Sequence, residues 1–339
     1  MPKEKINIIS KSATFNIIRG PRKVFDNTCK GLERIGQPYV INQPMSHYRW
    51  NWIHDSITDI LIAGFLGIPV VAGPNIVVMP YEFPKVRTKL KNSIYLQPSE
   101  WVVRLWEKVG FTECELVVWP VGIDCDEFNA SNKVANSTKV IIYFKARRPE
   151  ILARTIQKVL DQGLEPVVLM YGQYEEIDFK VALKDALFGI WIGVHESQGI
   201  ALQEALASDL PLLVLDASRF SDNYNQNMYL SSICFKNFTT TSAPYFDSKC
   251  GIIIDDEASL GTAILKMRQN LHFFEPRDFV LKELSLEASA RKFVDFFEMV
   301  DDKLPQRANV SPMRYSCAEK VAKMSLNIDK VMKRSSRII

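Results

Sequence analysis

The feature that most constrains this chain is a recurring alternation. Short runs that are apolar at nearly every position are each followed by a segment of helical length. KINIIS (5–10), PYVIN (38–42), WNWIHD (50–55), IPVVAG (68–73) and LVVWPVG (116–122) form one series. VIIYF (140–144), PVVLMYG (166–172), FGIWIGV (188–194) and PLLVLD (211–216) form a second. Between them, helical periodicity marks 24–36, 57–67 and 98–110, then 149–163 and a segment near 177–186. Pro98 and Ser99 suit the first turn of one helix and Gly36 the end of another. A strand that is apolar throughout must be covered on both faces, which is the situation of a parallel sheet between layers of helices. The polar stretch NASNKVANSTK (129–139) separates the two series and reads as a linker. The expected class is α/β, with two Rossmann-like domains over 1–130 and 131–298 and a helical tail over 299–339.

Composition removes several alternatives. A chain of 339 residues exceeds one ordinary core and suits two. The six cysteines are scattered without a C-x-x-C pair, so neither a zinc site nor a disulfide framework is indicated, and a reducing, cytoplasmic setting is expected. Met1–Ser10 lacks the apolar core of a secretory signal. The most apolar stretch, 60–73, is broken by Gly67 and Pro69 and falls short of the roughly 20 residues that span a bilayer. The N-x-S/T strings at Asn136, Asn237 and Asn309 therefore carry no glycosylation argument. Neither G-x-G-x-x-G nor a P-loop lysine pattern is present, which weakens dehydrogenase and kinase readings.

Charge is unevenly spread. From Lys303 onward there are nine basic residues and two acids, so a tail of +7 sits on a body of about −4. Within that tail Cys317, Val321, Met324, Ile328 and Val331 follow a 4-3-4-3 spacing, with Lys320, Lys323, Lys330 and Lys333 around them. The favoured expectation is that this helix packs back on the protein, with peripheral contact to an anionic membrane as the sharper alternative.

Chemistry concentrates in HESQGIALQEALASDLP (195–211). Ligands of open parallel sheets sit at the carboxyl ends of the strands, and HESQG follows the strand FGIWIGV. The N–H groups of Ser197, Gln198 and Gly199 are expected to open a helix and offer a phosphate seat at its positive end. Gly199 permits close approach of a ligand to the backbone. Glu196 and Glu204 are eight positions apart, up to about 12 Å along a helix axis. That span suits one acid accepting from the hydroxyls of a sugar and the other from a ribose, on either side of a pyrophosphate. The bland reading is a helix with a solvated acidic face. His195 divides evenly between a role beside Glu196 and packing at the strand end. Asp124-Cys-Asp126 spells a D-x-D metal motif but stands in a P-V-G-I-D segment, where it reads as structural.

Glu196-Ser-Gln-Gly199, followed by Glu204-Ala-Leu-Ala207 and Pro211, resembles the E-x7-E signature of the retaining glycosyltransferases of family 4. Asp209 stands where that family has a glycine, and aspartate tolerates the left-handed conformation needed there better than most residues. VVWPVGIDCDEF (117–128) resembles the family's P-x-G-V/I-D-x-x-x-F segment, and VIIYFKARRPE (140–150) stands where its second domain opens. The resemblance implies a GT-B fold, two Rossmann-like domains with parallel sheets facing across a cleft. It implies transfer of a sugar, with retention, from a UDP- or GDP-linked donor to a glycan, lipid or other acceptor, with no metal and no cofactor. Carried onto this sequence, Glu196 is the catalytic acid-bearing position at the reacting sugar. Lys145, Arg147 or Arg148, Ser197, Gln198, Gly199, Glu204 and Gly20 are donor-binding candidates. Asn75 replaces the family's histidine and cannot act as a base; it joins His54 and His195 as candidate cleft residues. A catalytically silent nucleotide-sugar-binding module and a tail-mediated interaction protein are the alternatives.

Overall fold

The structure, a computed structural model, describes residues 3–14, 20–83, 90–131, 134, 136–219, 238–301 and 310–335, with side chains of the last segment described through Leu326. The chain divides into two compact units, 1–122 with 289–339, and 123–288.

The first unit holds six parallel strands: β1 (Ile6–Ile9), β2 (Tyr39–Ile41), β3 (Trp50–Ile53), β4 (Val71–Ala72), β5 (Ile94–Gln97) and β6 (Glu115–Val118), in the order β2-β1-β3-β4-β5-β6. Helices α1 (Gly20–Arg34), α2 (Ile57–Leu66) and α3 (Glu100–Val109) connect them. Local chemistry fixes α2 at both ends: the Ser56 hydroxyl accepts from Asp59 N, and Gly67 closes the helix at φ 66°.

The second unit holds β7 (Lys139–Phe144), β8 (Glu165–Met170), β9 (Ala186–Ile192), β10 (Leu212–Leu215) and β11 (Gly251–Ile254), all parallel, in the order β11-β10-β9-β7-β8. Its helices are α4 (Pro149–Leu160), α5 (Glu176–Asp185), α6 (Ile200–Ala207), α7 (Leu260–Gln269) and α8 (Pro276–Glu283). Tyr143, Trp191, Phe179 and Leu206 fill the core on one face of the sheet, and Ile142, Ile190, Leu213 and Ile264 the core on the other. Strands apolar on both sides thus find cover on both sides, as their sequences require. In each sheet the chain runs outward from its first strand, then returns to the opposite side for its third. The switch points fall between β1 and β3 and between β7 and β9.

Two helices follow, α9 (Leu286–Asp301) and α10 (Pro312–Ser335). Phe293 lies 4.9 Å from Trp52 and 4.8 Å from Trp119, Phe297 stacks on Trp50 at 5.4 Å, and Asp301 accepts from both Arg49 and Trp50. Residues from Ser289 onward therefore belong to the first unit, and α10 lies along α2.

The alternation of strands and helices is as expected, with differences. β5 and β11 were not anticipated. The chain leaves the first unit at Gly122, so the polar stretch 129–139 lies inside the second unit. The reason is burial: Ile123, Cys125 and Phe128 enter the second core, and Ile123 N donates to Leu284 O at 2.8 Å. Among the described residues no helix is long and apolar enough to cross a membrane.

Candidate functional site

At the switch point of the second unit, β7 and β9 run side by side with Phe144 opposite Ile192, and Lys145 N donates to Ile192 O at 2.9 Å. Residues just beyond these two strand ends are consequently neighbours although some fifty positions apart. Lys145 Nζ donates to Glu196 Oε1 at 2.6 Å and lies 4.3 Å from the centre of the Tyr171 ring. Burial pushes the Glu196 carboxyl above its ordinary range, and the facing ammonium offsets part of that rise.

The turn after Lys145 is tight. Ala146 takes the left-handed conformation at φ 51°, Arg147 folds back, and Arg148 caps α4 ahead of Pro149. Arg147 Nη1 donates to Gly193 O and Asp216 O, each at 3.2 Å, and so ties the ends of β9 and β10 to the loop after β7. Arg148 is exposed.

The loop bearing Glu196 is held from below. Glu196 N donates to Thr241 O at 3.0 Å, while Asp216 Oδ1 accepts from the Thr241 hydroxyl, Ser242 N and the Ser242 hydroxyl. The sequence placed Ser197, Gln198 and Gly199 at the opening of the helix; the structure starts α6 at Ile200. Gly199 is its cap, at φ 78°, a conformation that favours glycine for its backbone and not for want of space. The left-handed Gly199 sets this start, and Gln198 lies buried just outside it. Its amide donates to Gln203 Oε1 at 2.9 Å, and its carbonyl accepts from Gln203 Nε2 at 3.0 Å, so this buried pair closes the approach loop. The N–H groups facing out of the helix mouth belong to Ile200, Ala201 and Leu202, with exposed Ser197 preceding them.

Glu204 lies one turn into α6 and is 3 % exposed. It is near enough to add to the rise of the Tyr174 phenol, which burial chiefly pushes up to about 12. His195 is half-buried between β9 and Glu196. Beyond α6, Asp209 takes the left-handed position at φ 57° that the sequence assigned to it.

The switch point of the first unit carries a different set. His54 is fully buried, its ring 4.9 Å from that of Trp52. His54 Nε2 lies 2.9 Å from Asn75 Oδ1 and Nδ1 lies 3.0 Å from the Ser10 hydroxyl, so both ring nitrogens have hydrogen-bond partners inside the unit. Burial lowers its pKa, with Asp55 and Asn75 opposing the shift. Asp55 organises the loop after β1, accepting from Lys11 N at 2.7 Å, Ser12 N at 2.9 Å and the Ser12 hydroxyl at 2.6 Å. Asn75 follows Gly73, where a β-carbon would stand 2.6 Å from the Tyr95 ring and 2.9 Å from Leu96 O. Gly20 opens α1, with open space about its α-carbon. A cavity of about 450 Å³ lies at this end of the sheet, lined by Ser10, Lys11, Asn42, Gln43, Asp59 and Tyr315 among others.

The second unit therefore brings Lys145, Glu196 and the mouth of α6 together, while the first gathers His54 and Asn75. Sequence reasoning missed Tyr171 and Tyr174, the support from Asp216 and Thr241, and the first unit's pocket. Tyr171 closes the PVVLMYG run on the strand beside β7, so its place was legible although its contact with Lys145 was not. Asp124 Oδ1 accepts from Asp126 N and Glu127 N, a turn of the structural kind read from the sequence.

No family model matches this chain, and no curated protein matches it. Solved structures do. The catalytic domain of starch synthase IV from Arabidopsis thaliana bound to ADP and acarbose superposes at a TM-score of 0.56 with 9 % identity, over 88 % of this chain and 99 % of that one. Anabaena HepE in complex with UDP and glucose gives 0.53 at 14 %, over 87 % and 99 %. The lipopolysaccharide outer core galactosyltransferase WaaB gives 0.53 at 9 %, over 88 % and 100 %. At such identities the likeness is one of fold, and the fold is the GT-B fold of glycosyltransferases.

Proposed function

We propose that this protein is a retaining glycosyltransferase that moves a sugar from a nucleoside diphosphate sugar to an acceptor without a metal ion. The observation that carries the reading is the Lys145–Glu196 pair at 2.6 Å, set at the β7/β9 switch point beside the mouth of α6. A diphosphate leaving group gains negative charge as the glycosidic bond breaks. Lys145 and the N–H groups of α6 supply positive potential from fixed positions, the arrangement that stabilises such charge best. Arg148 and Ser197, exposed at the same sheet end, are within the proposed donor seat, and Arg147 steadies it. Glu196 accepts from hydroxyls of the transferred sugar and Glu204 from the ribose. The leaving phosphate itself takes the acceptor proton on the same face of the sugar, so no protein base is required, which fits a His54 whose two ring nitrogens are engaged internally. The first unit's pocket beside Lys11 and Asn42 is the proposed acceptor seat. The solved structures of like fold that carry UDP or ADP support a nucleoside diphosphate sugar as the donor class.

The second reading, a silent nucleotide-sugar-binding module, shares the donor seat and differs in turnover. A thermal-shift panel of UDP, GDP, ADP and their sugars separates binder from non-binder, since a ligand at a hundred times its Kd adds about 2.7 kcal/mol. Release of diphosphate from the stabilising donor, unchanged by a chelator, is the result expected of the transferase. No stabilisation by any member of the panel would overturn both readings, and strict manganese dependence would overturn the metal-free one.

A further inference from the structure

Helix α10 rests on α2 by a face of small side chains. Ala318 and Ala322 are buried and Tyr315 is half-buried, a 3-4 spacing that keeps all three on one side. The described part of the stripe that the sequence marked for packing faces away, and Ile328 and Val331 lie outside the described side chains. Cys317 is exposed, Val321 is 45 % exposed and Met324 65 %, and Met313 extends the row at 80 %. At about 3.6 residues per turn these four fall within roughly a quarter of the helix circumference, opposite Ala322. Exposed cations stand at both margins of the row, Arg314 on one and Lys320 and Lys323 on the other. Glu319 lies toward the packed side, where it pairs with Lys323 at 2.8 Å.

We infer that α10 is an interfacial helix whose Met313–Met324 row enters the surface of an anionic membrane. An apolar strip bordered by cations fits a bilayer whose headgroups are negative, because the aliphatic stems of the lysines follow the strip inward while their ammonium groups stay with the phosphates. The tail's +7, set against a body of about −4, makes this the segment that such a surface attracts. A second copy of the chain fits less well. Antiparallel pairing about a two-fold axis sets each cationic margin of the row against the same margin of the partner, and among the described residues the acid of this segment, Glu319, is already paired with Lys323 within its own helix. The inference does not depend on the transferase reading.

Co-sedimentation of the full chain with vesicles tests it. Binding is expected to vesicles of phosphatidylcholine mixed with phosphatidylglycerol and not to phosphatidylcholine alone, and added salt should weaken it. Lys320→Gln and Lys323→Gln should each lower the partition about fivefold, the equivalent of ~1 kcal/mol per charge. Val321→Glu with Met324→Glu should abolish binding while leaving the thermal unfolding curve in place, since both side chains already face water. Equal binding to both vesicle types, binding to neither, or undiminished binding of the double glutamate variant would overturn the inference. So would a concentration-dependent dimer that this variant abolishes, because the row would then be an interface between copies.

Discussion

Lys145 opposes the protonation of Glu196 that burial favours, its ammonium standing 2.6 Å from the carboxyl. Replacing Lys145 with methionine should raise the Glu196 pKa further and remove the cation meant for phosphate. The expected loss is about 1.5–3 kcal/mol in nucleoside diphosphate affinity, or roughly ten- to a hundredfold, with bare nucleoside affinity little changed. Calorimetry with both ligands checks this, and equal losses would remove Lys145 from the phosphate seat. His54 gives the fold a pH dependence. Its folded pKa lies below its ordinary value of about 6.5 because the ring is buried, so folding disfavours its protonation. Its contribution is fully present above about pH 6.5 and is lost as pH falls through the window toward the lowered folded value. Urea unfolding across that range should show the decline, and His54→Gln should flatten it. Parallel slopes for the two proteins would mean that His54 does not titrate on unfolding.

At the scale of elements, α6 is where sequence and structure agree at one end and part at the other. Its close was legible: a helix meeting Asp209 two residues before Pro211 needs a left-handed residue, and Asp209 has φ 57°. Asp209→Gly should relieve the β-carbon strain and stabilise the protein by about 0.5–1 kcal/mol, read as a rise in Tm. A drop in Tm would mean that the aspartate side chain contributes more than its backbone strain costs. The opening of α6 falls later than expected because Gly199 takes the left-handed conformation at φ 78°, a choice that its short motif leaves open. β5 and β11 escaped because their pairing is not local. IYLQ and GIII are four-residue runs that become strands by lying in register with Leu116 and Leu213 of their neighbours. α10 carried a clear apolar stripe, yet the residues it buries are Ala318 and Ala322, while Cys317, Val321 and Met324 stay outside.

For the whole molecule, two series of apolar runs were enough to foretell two parallel sheets, because no other layer arrangement covers both faces of such strands. The border between the units was not legible. Polar composition marked 129–139, while the crossing at Gly122 depends on the burial of Ile123, Cys125 and Phe128 and on Arg277, which donates to the carbonyls of Cys125, Phe128 and Ala207. The closeness of Lys145 and Glu196 was legible because they stand at the ends of two strands, β7 and β9, that neighbour each other in one sheet. In the proposed transferase this sheet end holds a sugar nucleotide, with Glu196 on the sugar and Glu204 on the ribose. Calorimetric titration of the wild type, Glu196→Gln and Glu204→Gln with a nucleoside diphosphate and its sugar conjugate tests it most directly. Glu204→Gln should weaken both ligands by about 1.5–3 kcal/mol, whereas Glu196→Gln should spare the diphosphate and weaken only the sugar conjugate or its turnover. Equal loss of diphosphate affinity in the two variants, or no loss in either, would mean that these two acids do not divide sugar and ribose between them.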